Sequence, residues 1–407
     1  MPVISEHTPP AGDPAAGAGP DGTGRLLLDE AGDAVRAALG AGRDVVVLDD
    51  TTGHLVLGAS QAAGAEVGGG AAGAGARAGA TETGAEAAPA AAPGTVRSYQ
   101  DSASAERALL KLLGPVPSSR HVVVHPSLDA SLLSAAVLVL LRLPKSLDAL
   151  EETAQAIARW APDDVVVYAG GPVKHMTRSM NEVLGRSFGE VHATLGRFKA
   201  RALVARRPLD AARTAAPVFP RSAHLAELEL TVVAHGGVFA GARLDIGTRA
   251  LLAVLDEAHP EARDAVDLGC GTGVLATVLA RSRPGIRVVA SDQSAAAVAS
   301  ALATAAANGV GDRVSGLRDD ALSTLPDGSA DLVVCNPPFH AGTTLETDAA
   351  HRMFAAAARV LRPGGELWTV YNSHLRHKSA LARTVGPTTM VRQDPKFTVT
   401  RSVRQEL

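Results

Sequence analysis

The stretch VDLGCGTGVL, residues 266–275, decides the fold. Apolar residues and one acid lead into Gly269-x-Gly271-x-Gly273, and a run with helical character follows. Strand, glycine-rich turn and helix, in that order, let backbone N–H groups approach a ligand at a helix N-terminus. Outward from it, AVDLGC (265–270), RVVASD (287–292), DLVVCN (331–336) and ELWTVYN (366–372) read as strands. GVLATVLARSR (273–283), SAAAVASALATAAANG (294–309) and MFAAAARVL (353–361) read as helices, the last stopped by Arg362-Pro363-Gly364-Gly365. The same alternation runs upstream. DVVVLDD (44–50), HVVVHPS (121–127) and DDVVVYAGG (163–171) are strand-like, and SAERALLKLLG (104–114) and LDALEETAQAIARW (147–160) are helical. Alternation of this kind predicts parallel α/β sheets, here two domains in tandem.

Composition bounds the rest. The chain has 407 residues, 46% hydrophobic and 20% charged, a globular profile. Only 3% is aromatic, so Val, Leu, Ile and Ala must fill the core. A formal net charge of -3 gives no global nucleic-acid signal and leaves room for a local one. Cys270 and Cys335 offer neither a disulfide framework nor a metal-ligand spacing, and they suit a reducing cytoplasm. The N-terminus lacks the pattern of a secretory signal. SLLSAAVLVLLRL (131–143) is too short to span a bilayer, so no membrane role is expected, and it reads as a buried helix. Residues 1–24, rich in Pro, Gly and Ala, are expected to be a disordered tail. Residues 61–94 are low-complexity Ala/Gly and read as a flexible insertion within one folded unit, since strand-like segments flank them. The expected limits are 25–215 for the first domain and 216–407 for the second.

The glycine spacing departs from the G-x-G-x-x-G of dinucleotide binders. Asp267 sharpens the point, because a carboxylate repels a pyrophosphate and attracts a cation. S-adenosylmethionine carries a sulfonium and an ammonium, so the acid favours it over NAD; an ordinary tight turn is the plainer alternative. Asp292 closes the next strand, where an acid accepts hydrogen bonds from ribose hydroxyls or caps the following helix. Asp319-Asp320 follow a short strand, where Asp320 is placed to reach an adenine amine or simply to face solvent. Asn336-Pro337-Pro338-Phe339 ends the strand DLVVC. The Asn336 side-chain oxygen and the Pro337 carbonyl are two acceptors for the hydrogens of an exocyclic amine, pulling its nitrogen toward sp³ geometry. Proline stiffens the turn and has no N–H to compete, and Phe339 offers a stacking face. A rigid turn with a core Phe is the bland alternative. Both cysteines read as small core residues.

This set (DLGCGTG, Asp292, NPPF) resembles the class I S-adenosylmethionine-dependent methyltransferases of amino and amide nitrogens. More narrowly the chain looks like the ribosomal RNA guanine-N2 methyltransferases, of the small- or large-subunit type, built from two tandem methyltransferase-like domains. Supporting stretches are GGVFAGARLDIGTRALL (236–252), ELWTVYNSHLRHK (366–378), PKFTVTRS (395–402), RLPKSLDALEE (142–152) and AGGPVKHMTRSMNEVLG (169–185). The resemblance implies two Rossmann-like domains, the N-terminal one degenerate and holding RNA. It implies that Asp245 and Gly247 line the cofactor pocket with Asp267, Gly269, Gly271, Gly273, Asp292 and Asp320. Asn336, Pro337 and Phe339 are then the catalytic residues, and Phe239 lies near the base. TTGHL (51–55) after the first strand lacks the glycine series, as a degenerate domain should. The insertion at 61–94 departs from the family pattern.

Residues 174–207 carry Lys174, Arg178, Arg186, Arg197, Lys199, Arg201, Arg206 and Arg207 against Glu182 and Glu190. Such a run suits phosphate contacts, with Lys174, Arg178, Arg197, Lys199 and Arg201 as the RNA-binding candidates; a solvated surface is the alternative. The expected enzyme is a cytoplasmic monomer acting on ribosomal RNA or a ribosomal subunit, with no metal. Three rivals stand beside it: a methyltransferase of adenine N6 or protein glutamine, an NAD-dependent oxidoreductase, and a non-catalytic RNA-binding protein.

Overall fold

The computed structural model describes residues 19–64, 93–114, 122–337 and 344–405. They form two compact units. In the first, strands β1 (Asp44–Leu48), β2 (Val96–Tyr99), β3 (Val122–His125), β4 (Ala136–Arg142), β5 (Val166–Pro172), β6 (Phe188–Ala193) and β7 (Ala200–Pro208) make one seven-stranded sheet, in the order β3-β2-β1-β4-β5-β7-β6. The pairs among β1 to β5 are parallel, and β7 pairs antiparallel with β5 and β6. In the second unit, β8 (Arg221–Leu225) and β9 (Leu230–Ala234) form a hairpin. Then β10 (Asp264–Leu268), β11 (Arg287–Asp292), β12 (Val314–Arg318), β13 (Ala330–Cys335), β14 (Leu361–Asn372), β15 (Thr388–Gln393) and β16 (Phe397–Val403) repeat the same order, β12-β11-β10-β13-β14-β16-β15. The chain therefore holds two α/β sheets of one topology; the sequence pattern predicted two such domains with parallel sheets, whereas both sheets are mixed, because β7 and β16 run antiparallel to their neighbours.

Aliphatic side chains fill both cores. Leu26, Leu27, Val45, Val47 and Leu140 pack in the first unit. Leu251, Leu279, Val288, Leu332 and Val334 do so in the second, joined by the large aromatics Trp368, Phe354 and Tyr371. Among the described residues no helix is long and apolar enough to cross a membrane.

Several sequence expectations change. Residues 131–143 are not one buried helix: a single turn, Ala130–Leu133, gives way to β4. AVLVLLR is a seven-residue Val/Leu run between two neighbouring strands, buried along most of its length, which is how a central parallel strand reads. The tail expected over 1–24 ends earlier, because helix Gly22–Gly40 starts where the Asp21 carboxylate accepts from Gly24 N at 2.8 Å; residues 1–18 lie outside those described. Helix His54–Gly64 takes in residues 61–64 of the expected insertion, of which 65–92 lie outside those described. The helix read at 353–361 spans Thr344–Val360, and β14 follows it directly.

The unit limits also differ from a single cut after 215. The second unit takes Asp101–Ser104, Pro144–Arg159 and everything from Asp210. Hydrogen bonds explain it. Arg221 binds Asp148 and Glu151, Glu152 binds His235 and Gly236 N, and Ala103 N donates to Gln293 O.

Candidate active site

In the second unit the glycine turn joins β10 to helix Val274–Ser282. Gly269, Gly271 and Gly273 all have φ between 52° and 77°, the left-handed region that glycine alone enters freely. Gly273 has a second reason: a Cβ there would sit 2.6 Å from Ala301 Cα, on the backbone of helix Ala295–Ala307. A Cβ on Gly271 would meet nothing within 4 Å, so this turn faces open space.

That space is a cavity of about 670 Å³, within the range of small-molecule sites. Asp245, Gly269, Gly271, Asp292, Asp320, Asn336 and Pro337 line it, and so does Phe239. Gly247, Asp267 and Gly273 stand behind the wall. Phe339 lies outside the described residues.

Asp267 is 1% exposed, beneath the turn and not on the cavity wall. Its Oδ2 accepts from Ala276 N at 3.0 Å, at the start of the following helix, while Oδ1 is buried with no partner. Burial pushes its carboxyl up to about 7, against the pull of the Ala276 N–H, and the nearby Asp292 adds to the rise. A carboxyl raised in the fold contributes stability at low pH and loses it as pH rises through the folded value. A move from 3.8 to about 7 corresponds to about 4 kcal/mol at most. The ligand-free protein is therefore expected to melt lower as pH goes from about 5 to 8, and Asp267→Asn to flatten that slope; an unchanged slope in thermal melts would remove the assignment. The same charge suits a cationic ligand, which would favour the ionised form.

Asp292 ends β11. Its Oδ2 accepts from Gly271 N at 3.1 Å and its Oδ1 from Ser294 N at 3.0 Å. It is not the cap residue of the next helix; Ser294 is, accepting from Ala297 N. Burial holds the Asp292 carboxyl above its usual range, with the two N–H groups opposing. Asp319 is turned into its own loop, accepting from Ser323, Thr324 and Asp320 N. That use of Asp319 favours Asp320 as the ligand-facing acid of the pair.

Asn336 sits just past the end of β13. Its Nδ2 donates to Asp245 Oδ2 at 2.9 Å and to Thr248 Oγ1 at 3.0 Å. A carboxylate only accepts, so the nitrogen of the amide must face Asp245 and the oxygen must face the other way. Asp245 itself is the N-cap of helix Ile246–Leu252, accepting from Thr248 N at 3.1 Å. Gly247 permits this packing, because a Cβ would lie 3.0 Å from both Asn336 Oδ1 and Asp245 Oδ2. Burial raises both thiols, Cys270 and Cys335, well above their ordinary value, so neither is a thiolate near neutral pH.

Sequence reasoning missed Thr248, and also Asn372 and Phe397, which line the cavity with Lys396. LDIGT carries a cap-like spacing, Asp then Thr three residues on, that signals the first. The others come from the end of the distant β14 and the start of β16, which no local pattern brings together.

The first unit lacks this equipment at equivalent places. Leu48 pairs with Leu141 as Leu268 pairs with Cys335, so Arg142 stands where Asn336 does. Leu48 pairs with Tyr99 as Leu268 pairs with Ser291, so Gln100 replaces Asp292. Arg142 Nη1 binds Asp21 Oδ1 at 3.0 Å, and Asp21 caps its helix as Asp245 does. The turn after β1 has equal length, but Asp50 lays its own carboxylate on the helix start, accepting from Leu55 N at 2.8 Å and Val56 N at 3.0 Å. An anion already occupies that helix N-terminus.

The basic run at 174–207 does not form one surface. Lys174, Arg197, Lys199 and Arg201 are exposed near the carboxyl end of β5, and Arg178 begins the helix that follows. Arg206 and Arg207 lie at the far end of β7, roughly 20 Å along the strand, where Arg207 pairs with Glu190.

Comparison with known proteins agrees with this architecture. Residues 229–401 match the "Methyltransferase small domain" family and residues 84–209 the "RLMG N-terminal domain" family. A Streptomyces coelicolor protein named ribosomal RNA large subunit methyltransferase G is 40% identical over 272 residues, 66% of this chain and 72% of that protein. The Stutzerimonas stutzeri protein of that name is 39% identical over 267 residues, 65% of this chain and 70% of its own. Among solved structures, a T. thermophilus 16S rRNA N2 methyltransferase (RsmC), in complex with AdoMet and guanosine, superposes with a TM-score of 0.64 over 92% of each chain at 22% identity, which speaks to the fold.

Proposed function

Since this chain belongs to the family of ribosomal RNA large subunit methyltransferase G, we propose that it methylates the exocyclic N2 of a guanine in ribosomal RNA with S-adenosylmethionine as donor. The observation that carries the reaction type is Asn336. Its amide nitrogen is committed to Asp245 and Thr248 and the residue lines the cavity, which leaves its oxygen as the atom free to accept from a ligand.

The cavity fits the donor. Asp292 and Asp320 offer carboxylates to hydroxyl and amine hydrogens, the turn at Gly271 admits close approach, and the Asp267 carboxyl below it is one that a cationic ligand would draw into its ionised form. When bound, the cofactor supplies an electrophilic methyl group on a sulfonium. The chain's own residues orient the acceptor. Asn336 Oδ1 and the Pro337 carbonyl take the two hydrogens of an amine, which frees the nitrogen lone pair from the aromatic ring. Phe239, 55% exposed on the cavity wall, and Phe339 are the stacking faces for the base. Among the described residues no His lines the cavity, and the carboxylates of Asp245, Asp292 and Asp320 are assigned to the Asn336 amide and to the cofactor, so the proton leaves to water after the nitrogen has become cationic. Asn336, Pro337 and Phe339 are the catalytic residues. Gly269, Gly271, Gly273, Asp292 and Asp320 form the cofactor side of the site with Asp267 beneath them, Asp245 and Gly247 border the same pocket where Asp245 fixes the Asn336 amide, and Lys174, Arg178, Arg197, Lys199 and Arg201 hold RNA. The large-subunit RNA is the substrate, met in the cytoplasm by a monomeric enzyme.

Asp292→Ala is expected to weaken S-adenosylmethionine binding on the order of 30-fold, the loss of a hydrogen bond to a charged group, with folding intact by circular dichroism. Calorimetry giving wild-type affinity would remove Asp292 from the pocket. The reaction itself is tested by methyl transfer from labelled cofactor to unmodified ribosomal RNA, with nucleoside mass spectrometry. N2-methylguanosine in large-subunit RNA is the expected product; transfer to another base or to protein would refute the reading.

A further inference from the structure

The tip of the β6–β7 hairpin in the first unit breaks the local rules. Arg197 N donates to Ala200 O at 2.9 Å and Ala200 N to Arg197 O at 2.8 Å, so Phe198 and Lys199 are the two central residues of a tight hairpin. Both have positive φ, 53° and 58°. This turn favours Asn-Gly or Gly-Gly, because a bulky side chain in the left-handed region is strained by roughly 1 kcal/mol or more. Phe-Lys is a costly choice for folding, and Phe198 is not taken into the core in return, remaining 41% exposed.

What surrounds the ring is cationic. The Arg25 guanidinium lies 4.6 Å from its centroid and that of Arg197 5.9 Å. The tip is pinned in place: a Cβ on Gly22, at the start of helix Gly22–Gly40, would fall 2.3 Å from Phe198 O. Val173, 46% exposed, and Leu195, 83% exposed, extend the apolar surface beside Lys174, Lys199 and Arg201. Arg197 is paired with Glu30, whereas Lys174, Lys199 and Arg201 form no ion pair among the described residues. The matching hairpin of the second unit ends in Lys396-Phe397, which lines the active-site cavity.

We propose that Phe198 is a base-stacking platform for unpaired RNA, with Arg25, Lys174, Lys199 and Arg201 taking the flanking phosphates. An exposed ring ringed by cations fits a nucleic acid strand, since every base has a stacking face and every nucleotide a negative charge. The apolar surface alone would suit a protein, but the unpaired lysines and arginine favour the polyanion. The proposal rests on RNA being the substrate, and it adds the residue and the form of RNA it contacts.

The test uses the full chain and a fluorescein-labelled, unstructured RNA of about 12 nucleotides, read by anisotropy. Phe198→Ala is expected to weaken binding about tenfold, and Phe198→Trp to retain it. Phe198→Asn is the informative variant: it suits the turn, so it should melt at or above the wild-type temperature while losing the same tenfold. A blunt RNA duplex, whose bases are already stacked, should be bound equally by wild type and Phe198→Ala. Wild-type affinity of Phe198→Ala for the single strand, or an equal loss on duplex, overturns the platform. Methyl transfer to ribosomal RNA by the wild type, assayed in parallel, separates that outcome from failure of the substrate assignment itself.

Discussion

Asn336→Ala is expected to lower the turnover number of methyl transfer by about 10²–10³-fold while S-adenosylmethionine affinity stays within twofold of wild type. An exocyclic guanine nitrogen shares its lone pair with the ring, and its hydrogens must be drawn out of plane before the nitrogen can attack. That is a change between ground and transition state, so an acceptor placed there acts on turnover. Asn336 Oδ1 is such an acceptor because the other end of the amide is held by Asp245 and Thr248. Cofactor affinity depends on other groups: the glycine turn, Asp292 and Asp320. Asn336→Asp should be no rescue, since a carboxylate beside Asp245 would face like charge at hydrogen-bond distance. A loss of cofactor binding equal to the loss of turnover would place Asn336 in the cofactor pocket and end this account of the reaction.

Much of the site was legible because its residues are local to strand ends. Gly269, Gly271, Gly273, Asp292 and Asn336 stand at or just past the carboxyl ends of β10, β11 and β13, and parallel pairing in this order brings the carboxyl ends of neighbouring strands together. The register did the rest, setting Leu268 beside Ser291 and Cys335. The position of Asp267 was misjudged, since a strand-end acid can point to the cavity or under the turn, and only the backbone path decides. β4 was read as a helix because a Leu/Val run has no period to separate the two at that length. The basic run was overread for a related reason: successive residues in sequence are spread along an extended strand, so eight charges in 34 positions became two separated groups. The Phe198 turn was illegible in principle, because Phe-Lys is a poor choice for the conformation it adopts.

Asp245→Ala is the sharper test, because it leaves the Asn336 side chain in place and removes only the carboxylate that holds its amide nitrogen. Its removal leaves Asn336 Nδ2 with Thr248 Oγ1 alone, and a hydroxyl can donate as readily as it accepts. The amide is then no longer forced to present oxygen, and a rotated amide would offer the amine a donor where it needs an acceptor. Turnover is expected to fall about 30- to 100-fold, between the loss of one charged hydrogen bond and removal of the acceptor outright. Part of that fall could come from the helix, since Asp245 also caps Ile246–Leu252, and cap removal costs about 1 kcal/mol of stability. Asp245→Ser separates the two roles, restoring a capping oxygen without a carboxylate to fix the amide; turnover should stay low while melting recovers. A double-mutant cycle completes the argument. If Asp245 acts through Asn336, adding Asp245→Ala to Asn336→Ala changes turnover by less than about threefold. Full additivity would mean that Asp245 meets the substrate or the cofactor directly, and the orientation of Asn336 would then need another cause.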